Sequence, residues 1–164
     1  MSVSREQIAS IAAPARARAV AAFDADLDTA GDLRAQCVAV SLYLRDALRA
    51  GGHADAIAVA GYFEVEGPDP EVCACGSYVG THDEACYFEP HAWVQVAGWL
   101  VDATASQFND SNQSDLDDLV ILPAAEALNG PWRATVSWSD DWAAGEISSL
   151  MGDWPASLGP MPTR

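Results

Sequence analysis

Lysine is absent from this chain of 164 residues, and basic side chains are scarce: 8 arginines face 24 aspartates and glutamates, for a formal charge of −16. Nucleic acid and anionic membrane surfaces both reward Lys and Arg, so neither is an expected partner. No apolar run approaches the roughly 20 residues of a membrane-spanning helix. The N-terminal MSVSREQIASIAAPARARAV lacks the basic-then-apolar order of a secretory signal, which leaves a cytoplasmic setting as the expectation. In that setting the four cysteines are thiols or metal ligands rather than a disulfide framework. No internal repeat and no second domain are visible. The missing lysine, set beside abundant alanine, fits a coding bias toward GC-rich codons, and the acidity is read as serving solubility.

Half of the residues are apolar, enough for residues 1–164 to form a single domain with a sizeable core. The chain divides into a helical front, a sheet-like middle and a tryptophan-rich tail. SREQIASIAAPARARAVAAF reads as helix, with Ser4 as a cap and Pro14 forcing a kink or a second start. Leu33, Cys37, Val40, Leu44 and Leu48 make one narrow helical stripe, with Asp32 as N-cap or a start nearer Arg34 or Ala35, ended by Gly51-Gly52. ADAIAVAGYFEVE reads as a strand. Residues 67–86, rich in Gly, Pro, Asp and Cys, read as a long loop. In the tail, LVILPAAEAL holds a short strand before Pro123, WRATVSW alternates like a strand, and SDDWAAGEISSLMGDW reads as a helix capped at Ser139. Residues 155–164 read as a loose end.

The segment HAWVQVAGWLVDAT, residues 91–104, carries the strongest geometric signal. It splits at Ala97-Gly98, a two-residue hairpin turn that sets Val96 against Trp99 and Val94 against Val101. Side chains alternate between the two faces of such a hairpin. One face then shows Ala92, Val94, Val96, Trp99, Val101 and Ala103, all apolar. The other shows His91, Trp93, Gln95, Leu100, Asp102 and Thr104. His91 and Asp102 become diagonal neighbours about 7 Å apart at Cβ, within side-chain reach.

A carboxylate beside a histidine fixes its tautomer and leaves the second ring nitrogen to accept a proton. The group that would give up that proton is Cys37, near a helix start where the macrodipole favours a thiolate, and on the stripe that packs against the sheet. The plain alternative is a structural cysteine and a satisfied polar pair, since both are common in cores.

These residues also resemble a known family. The helix opening QCVAVSLYLRDALRAGG, the strand HAWVQV and the strand WLVDATASQF, within residues 36–108, look like the transglutaminase-like superfamily of papain-like cysteine enzymes. The resemblance implies an α+β fold, with N-terminal helices and the cysteine helix packed on an antiparallel β-sheet. It implies a triad of Cys37, His91 and Asp102, and acyl transfer without a cofactor. The substrate it implies is a peptide, a protein or a small amide. Water as acceptor gives peptidase, amidase or deamidase chemistry; an amine gives cross-linking. The chain has no Gly or Trp beside the cysteine, so the motif fixes no second oxyanion donor. Gln36 and Gln107 are candidates for it, and Trp93 is a candidate for excluding water.

A second group, CACGSYVGTHDEAC, offers Cys73, Cys75, His82 and Cys86, the donor set of a structural zinc site. Its Cys-x-Cys spacing departs from the usual Cys-x2-4-Cys, and loop thiols without metal are the favoured reading. Cys86, close in sequence to His91, is the runner-up nucleophile. Trp132, Trp138, Trp142 and Trp154 read as core or rim. Two further readings stand beside the cysteine enzyme: a catalytically inactive acidic binding module on the same fold, and a metal-dependent hydrolase using the cysteine cluster.

Overall fold

A computed structural model describes residues 3–27, 33, 36–66, 77–82, 85–109, 115–134, 154–160 and 162. The first helix, α1 (Arg5–Leu27), opens on a reciprocal capping box. Ser4 Oγ accepts from the Gln7 N–H at 3.3 Å, and Gln7 Oε1 accepts from the Ser4 N–H at 2.8 Å. Of the two outcomes expected at Pro14, a kink or a second start, the second start does not occur, because α1 is one element through the proline. Its buried stripe of Ile8, Ala12, Ala15, Ala19, Ala22 and Phe23 lies on both sides of Pro14. Burial of that stripe offsets the roughly 3 kcal/mol a helix-interior proline costs.

The second helix, α2 (Cys37–Ala50), begins later than the stripe suggested. Gln36 is the N-cap and Cys37 is the first helical residue, while Asp32, Arg34 and Ala35 lie outside the described residues. At the other end Gly52 takes φ +99°, and the His53 N–H returns to the Leu48 carbonyl at 3.0 Å, a Schellman-type closure.

Six strands form one antiparallel sheet: β1 (Ile57–Glu66), β2 (Ser77–His82), β3 (Ala85–Val96), β4 (Trp99–Asp102), β5 (Val120–Pro123) and β6 (Trp132–Ala134). The order is β5-β4-β3-β1-β6, and β2 pairs with the first half of β3. The long loop expected over 67–86 is therefore in part a hairpin, with Ser77 against Glu89 and His82 against Ala85. Gly and Cys within that segment masked strand residues such as Tyr78, Val79 and Thr81, which have ordinary β character. Residues 67–76 and 83–84 lie outside the described residues.

The β3–β4 hairpin has the register its alternation dictates: Val94 against Val101, Gln95 against Leu100, Val96 against Trp99. Its turn places Ala97 at φ +50° and Gly98 at φ +84°, and the Ala97 N–H donates to Asp55 Oδ2 at 2.8 Å. A short helix, α3 (Ala124–Ala127), joins β5 to the turn before β6.

Around the β3–β4 hairpin the described part of the sheet is buried on both faces. On the first, Ala92, Val94, Val96, Val101 and Ala103 join the buried stripes of α1 and α2 in one core, with Trp99 at its edge. On the second, Val59, Phe63, Trp93, Leu100, Phe108, Val120 and Trp132 form a smaller, aromatic core. The C-terminal segment, expected to be loose, is docked over residues 154–158. Trp154 lies edge-on to Phe23 at 6.3 Å and tilted against Tyr43 at 6.1 Å between ring centroids. Leu158 is buried in the first core. The expected helix from Ser139 and the continuation of β6 past Ala134 fall outside the described residues.

An L-residue with positive φ at Ala97 is strained by roughly 1 kcal/mol. Replacing Ala97 by Asn, which accepts that conformation, is expected to raise the unfolding free energy by about 0.5–1 kcal/mol. Urea denaturation would register this as a higher midpoint with an unchanged slope.

Candidate functional site

Three strands and a helix end bring the site together. His91 lies on β3 opposite Gly61 of β1, and Asp102 closes β4. The diagonal relation set by the hairpin register brings His91 Nε2 within 2.7 Å of Asp102 Oδ2. Both side chains are 0% exposed.

Asp102 is held by four contacts. Oδ2 takes His91 Nε2 and also the indole Nε1–H of Trp132 at 2.7 Å. Oδ1 accepts from the Thr104 N–H at 2.9 Å and from the Thr104 hydroxyl at 3.1 Å. The Asp-Ala-Thr sequence folds into an Asx-type turn that delivers the Thr104 bonds.

Rings surround the imidazole. Phe63 and Phe108 meet it edge-on at 5.8 and 4.8 Å between centroids, and Trp93 is tilted against it at 5.8 Å. Phe63 and Phe108 stack on each other at 4.4 Å.

Cys37 reaches the same imidazole from the end of α2. It is buried with 6% exposure, and its side chain favours the protonated ring by hydrogen bonding and by charge. Asp102 already occupies Nε2, so Nδ1 is the nitrogen left to the thiol. Nδ1 has no hydrogen-bond partner of good geometry among the described residues. The next turns of α2, at Val40 and Leu44, stay in the first core. Cys37 meets the histidine because it is the first residue of the helix.

Burial alone would lower the basicity of His91. The Asp102 charge and hydrogen bond, with a smaller part from Cys37, outweigh burial and raise it from 6.5 to about 9. Burial would likewise raise the Asp102 carboxyl, but the His91 charge and the bonds from His91, Trp132 and Thr104 hold it below its ordinary value. The pair is therefore imidazolium and carboxylate, with Nε2–H donating.

The other candidate residues are distributed around this centre. Gln36 directly precedes Cys37 as the half-buried N-cap. Trp93 is fully buried beside His91, and its indole Nε1–H has no hydrogen-bond partner among the described residues. Gln107 is buried on the 3-10 turn Ala105–Phe108, the turn that supplies Phe108.

Sequence reasoning missed Trp132, Thr104, Phe63 and Phe108. Thr104 had a signal, the Asp-x-Thr spacing of an Asx turn. Trp132 had none beyond its place in an alternating strand.

The suggested zinc ligands Cys73 and Cys75 lie outside the described residues, as do the side chains of His82 and Cys86. Among the described residues, no three His, Cys, Asp or Glu side chains converge to hold a metal ion, and no helix is long and apolar enough to cross a membrane. Comparison with protein-family models, curated proteins and solved structures found no match.

The His91–Asp102 pair predicts a pH profile of stability. The contribution of His91 is complete below about 6.5 and fades as pH rises through about 9. The contribution of Asp102 is complete above its ordinary 3.8 and is lost as pH falls through its lower folded value. The pair therefore stabilises most between about pH 4 and 6.5. Urea unfolding at pH 6 and pH 9.5 should show a loss on the order of a few kcal/mol at the higher pH. In Asp102→Asn, which removes the charge, the part of that loss due to His91 should disappear.

Proposed function

We propose that this protein is a cysteine-dependent amide hydrolase or acyltransferase that works through a thioester, with Cys37 as nucleophile, His91 as acid–base and Asp102 as orienting group. The observation that carries the proposal is the surroundings of the ring: Asp102 holds Nε2 at 2.7 Å, and the Cys37 side chain acts on the same imidazole by hydrogen bonding and by charge. A structural cysteine in the middle of a helix stripe would have no reason to act on that ring. The order of a cysteine at a helix start, then a histidine strand and an aspartate strand in an antiparallel sheet, supports a transglutaminase-like fold.

In this mechanism the Cys37 thiolate attacks the carbonyl carbon of an amide. The carbonyl oxygen gathers negative charge and is met by the Cys37 backbone N–H and one further donor, from Gln36, Trp93 or Gln107. As the tetrahedral intermediate collapses, the C–N bond breaks and the proton on His91 passes to the leaving amine. Water, deprotonated by the now neutral His91, attacks the thioester carbonyl; the C–S bond breaks, the acid product leaves, and the Cys37 thiolate beside a protonated His91 is restored. An amine in place of water completes transfer instead. Asp102 keeps the ring in one orientation throughout and balances the imidazolium.

Alkylation by iodoacetamide tests this without a known substrate. Cys37 should react at pH 6 at least about 10²-fold faster than in His91→Ala, in line with the usual contribution of a positioned acid–base group. Slow labelling indifferent to His91 would reject the enzyme and favour a non-catalytic acidic binding module on the same fold. Peptide or amide turnover, once a substrate is found, should vanish in Cys37→Ser.

A further inference from the structure

We propose that Trp132 is a positioning residue for this centre: its indole N–H, carried in on β6 through a gap left by Gly61, fixes the Asp102 oxygen that holds His91. The inference rests on the cysteine-enzyme reading and extends it to a third strand.

The indole Nε1–H and His91 Nε2 both bind Oδ2 at 2.7 Å, so one oxygen takes two donors. With Thr104 on Oδ1, the carboxylate cannot rotate without breaking at least two bonds. Trp132 is itself immobilised, 2% exposed and edge-on to Phe63 at 5.1 Å. Its position depends on how closely β6 approaches β1. Gly61 pairs with His91 on one side and with Ala134 on the other, and Phe63 pairs with Trp132. A methyl group at Gly61 would overlap the Arg133 carbonyl and crowd the Ala134 Cα. Glycine at that point lets the third strand close on the centre.

Among the described residues, no other charged group binds Asp102. Arg16 of α1 binds the Ala103 carbonyl at 3.0 Å and Asp118 at 3.3 Å. Arg133 of β6 binds the carbonyls of Leu128 and Gly130. The β5 residue opposite Asp102 is Val120, and α2 contributes Cys37.

An N–H donor stabilises the ionised carboxylate over the protonated acid. Without it Asp102 takes a proton at higher pH, and a neutral Asp102 no longer supports the imidazolium. The test is the pH dependence of Cys37 alkylation in the full-length chain. In wild type the rate should hold a plateau that falls away at an acid-side inflection. In Trp132→Phe, which keeps the ring and removes the donor, that inflection should move up by about one pH unit, a roughly tenfold lower rate on the acid limb. The rate near pH 7.5 should change little. Leu100→Ala, which empties the same aromatic core without touching the carboxylate, should lower the melting temperature and leave the inflection in place.

The wild-type protein gives a second readout that needs no variant. The ¹⁵N-tryptophan resonance of the Trp132 indole should titrate with the alkylation inflection. An unmoved inflection in folded Trp132→Phe, or an indole resonance flat across that pH range, overturns the role of Trp132 and leaves the enzyme reading intact. A wild-type alkylation profile like that of an ordinary thiol overturns the enzyme reading itself.

Discussion

Placing an imidazolium and a carboxylate where neither touches water costs several kcal/mol per ion before any attraction is counted. The protein recovers that cost through geometry: each Asp102 oxygen accepts two hydrogen bonds, and the His91 ring is packed edge-on by two phenylalanines. Several local features of the chain serve this one contact. The tight turn at Ala97-Gly98 sets the diagonal between β3 and β4. The Asp-Ala-Thr bend folds two donors back onto the carboxylate, and β6 ends its approach with an indole. Loss of any one partner leaves a charge buried without its full complement, which is why such networks stand or fall as a unit.

The division of labour between the two faces of the sheet follows from the same contact. The alanine-rich stripe of α1 and the leucines of α2 cover the aliphatic face, where close packing of small side chains favours a rigid platform. The aromatic face shields the ion pair. Aromatic residues exclude water over a large area and, presented edge-on, add favourable quadrupole contacts. Cys37 stands at the end of the helical layer and is the point at which the two halves meet.

Much of this was legible in the chain, because strand alternation is strict. Two apolar rows separated by Ala-Gly fixed the pairing of Val94 with Val101, and His91 and Asp102 then had to share a face. The stripe from Leu33 to Leu48 located the second helix, but its start could not be read. Stripe periodicity marks the buried face, whereas the first hydrogen bond is set at Gln36, whose side chain makes no capping bond. Pro14 does not divide α1 because propensity is a local quantity, and the helix is held by a stripe of burial on both sides of it. Ser77–His82 was hidden by glycine and cysteine neighbours whose composition resembles a loop. Trp132 was invisible as a partner of Asp102. Thirty positions separate them, and a hydrogen bond reaching across β1 and β3 leaves no periodic trace in the sequence.

The contact of Trp154 with Phe23 and Tyr43, together with Leu158 in the helical core, has a consequence for synthesis on the ribosome. Both helices emerge before the residues that cover part of their surface. Until those residues leave the exit tunnel, the nascent helices present uncovered apolar and aromatic faces to the surrounding cell contents. Completion of this layer therefore waits for Trp154 and Leu158, and a chaperone that shelters the two helices would act in that interval.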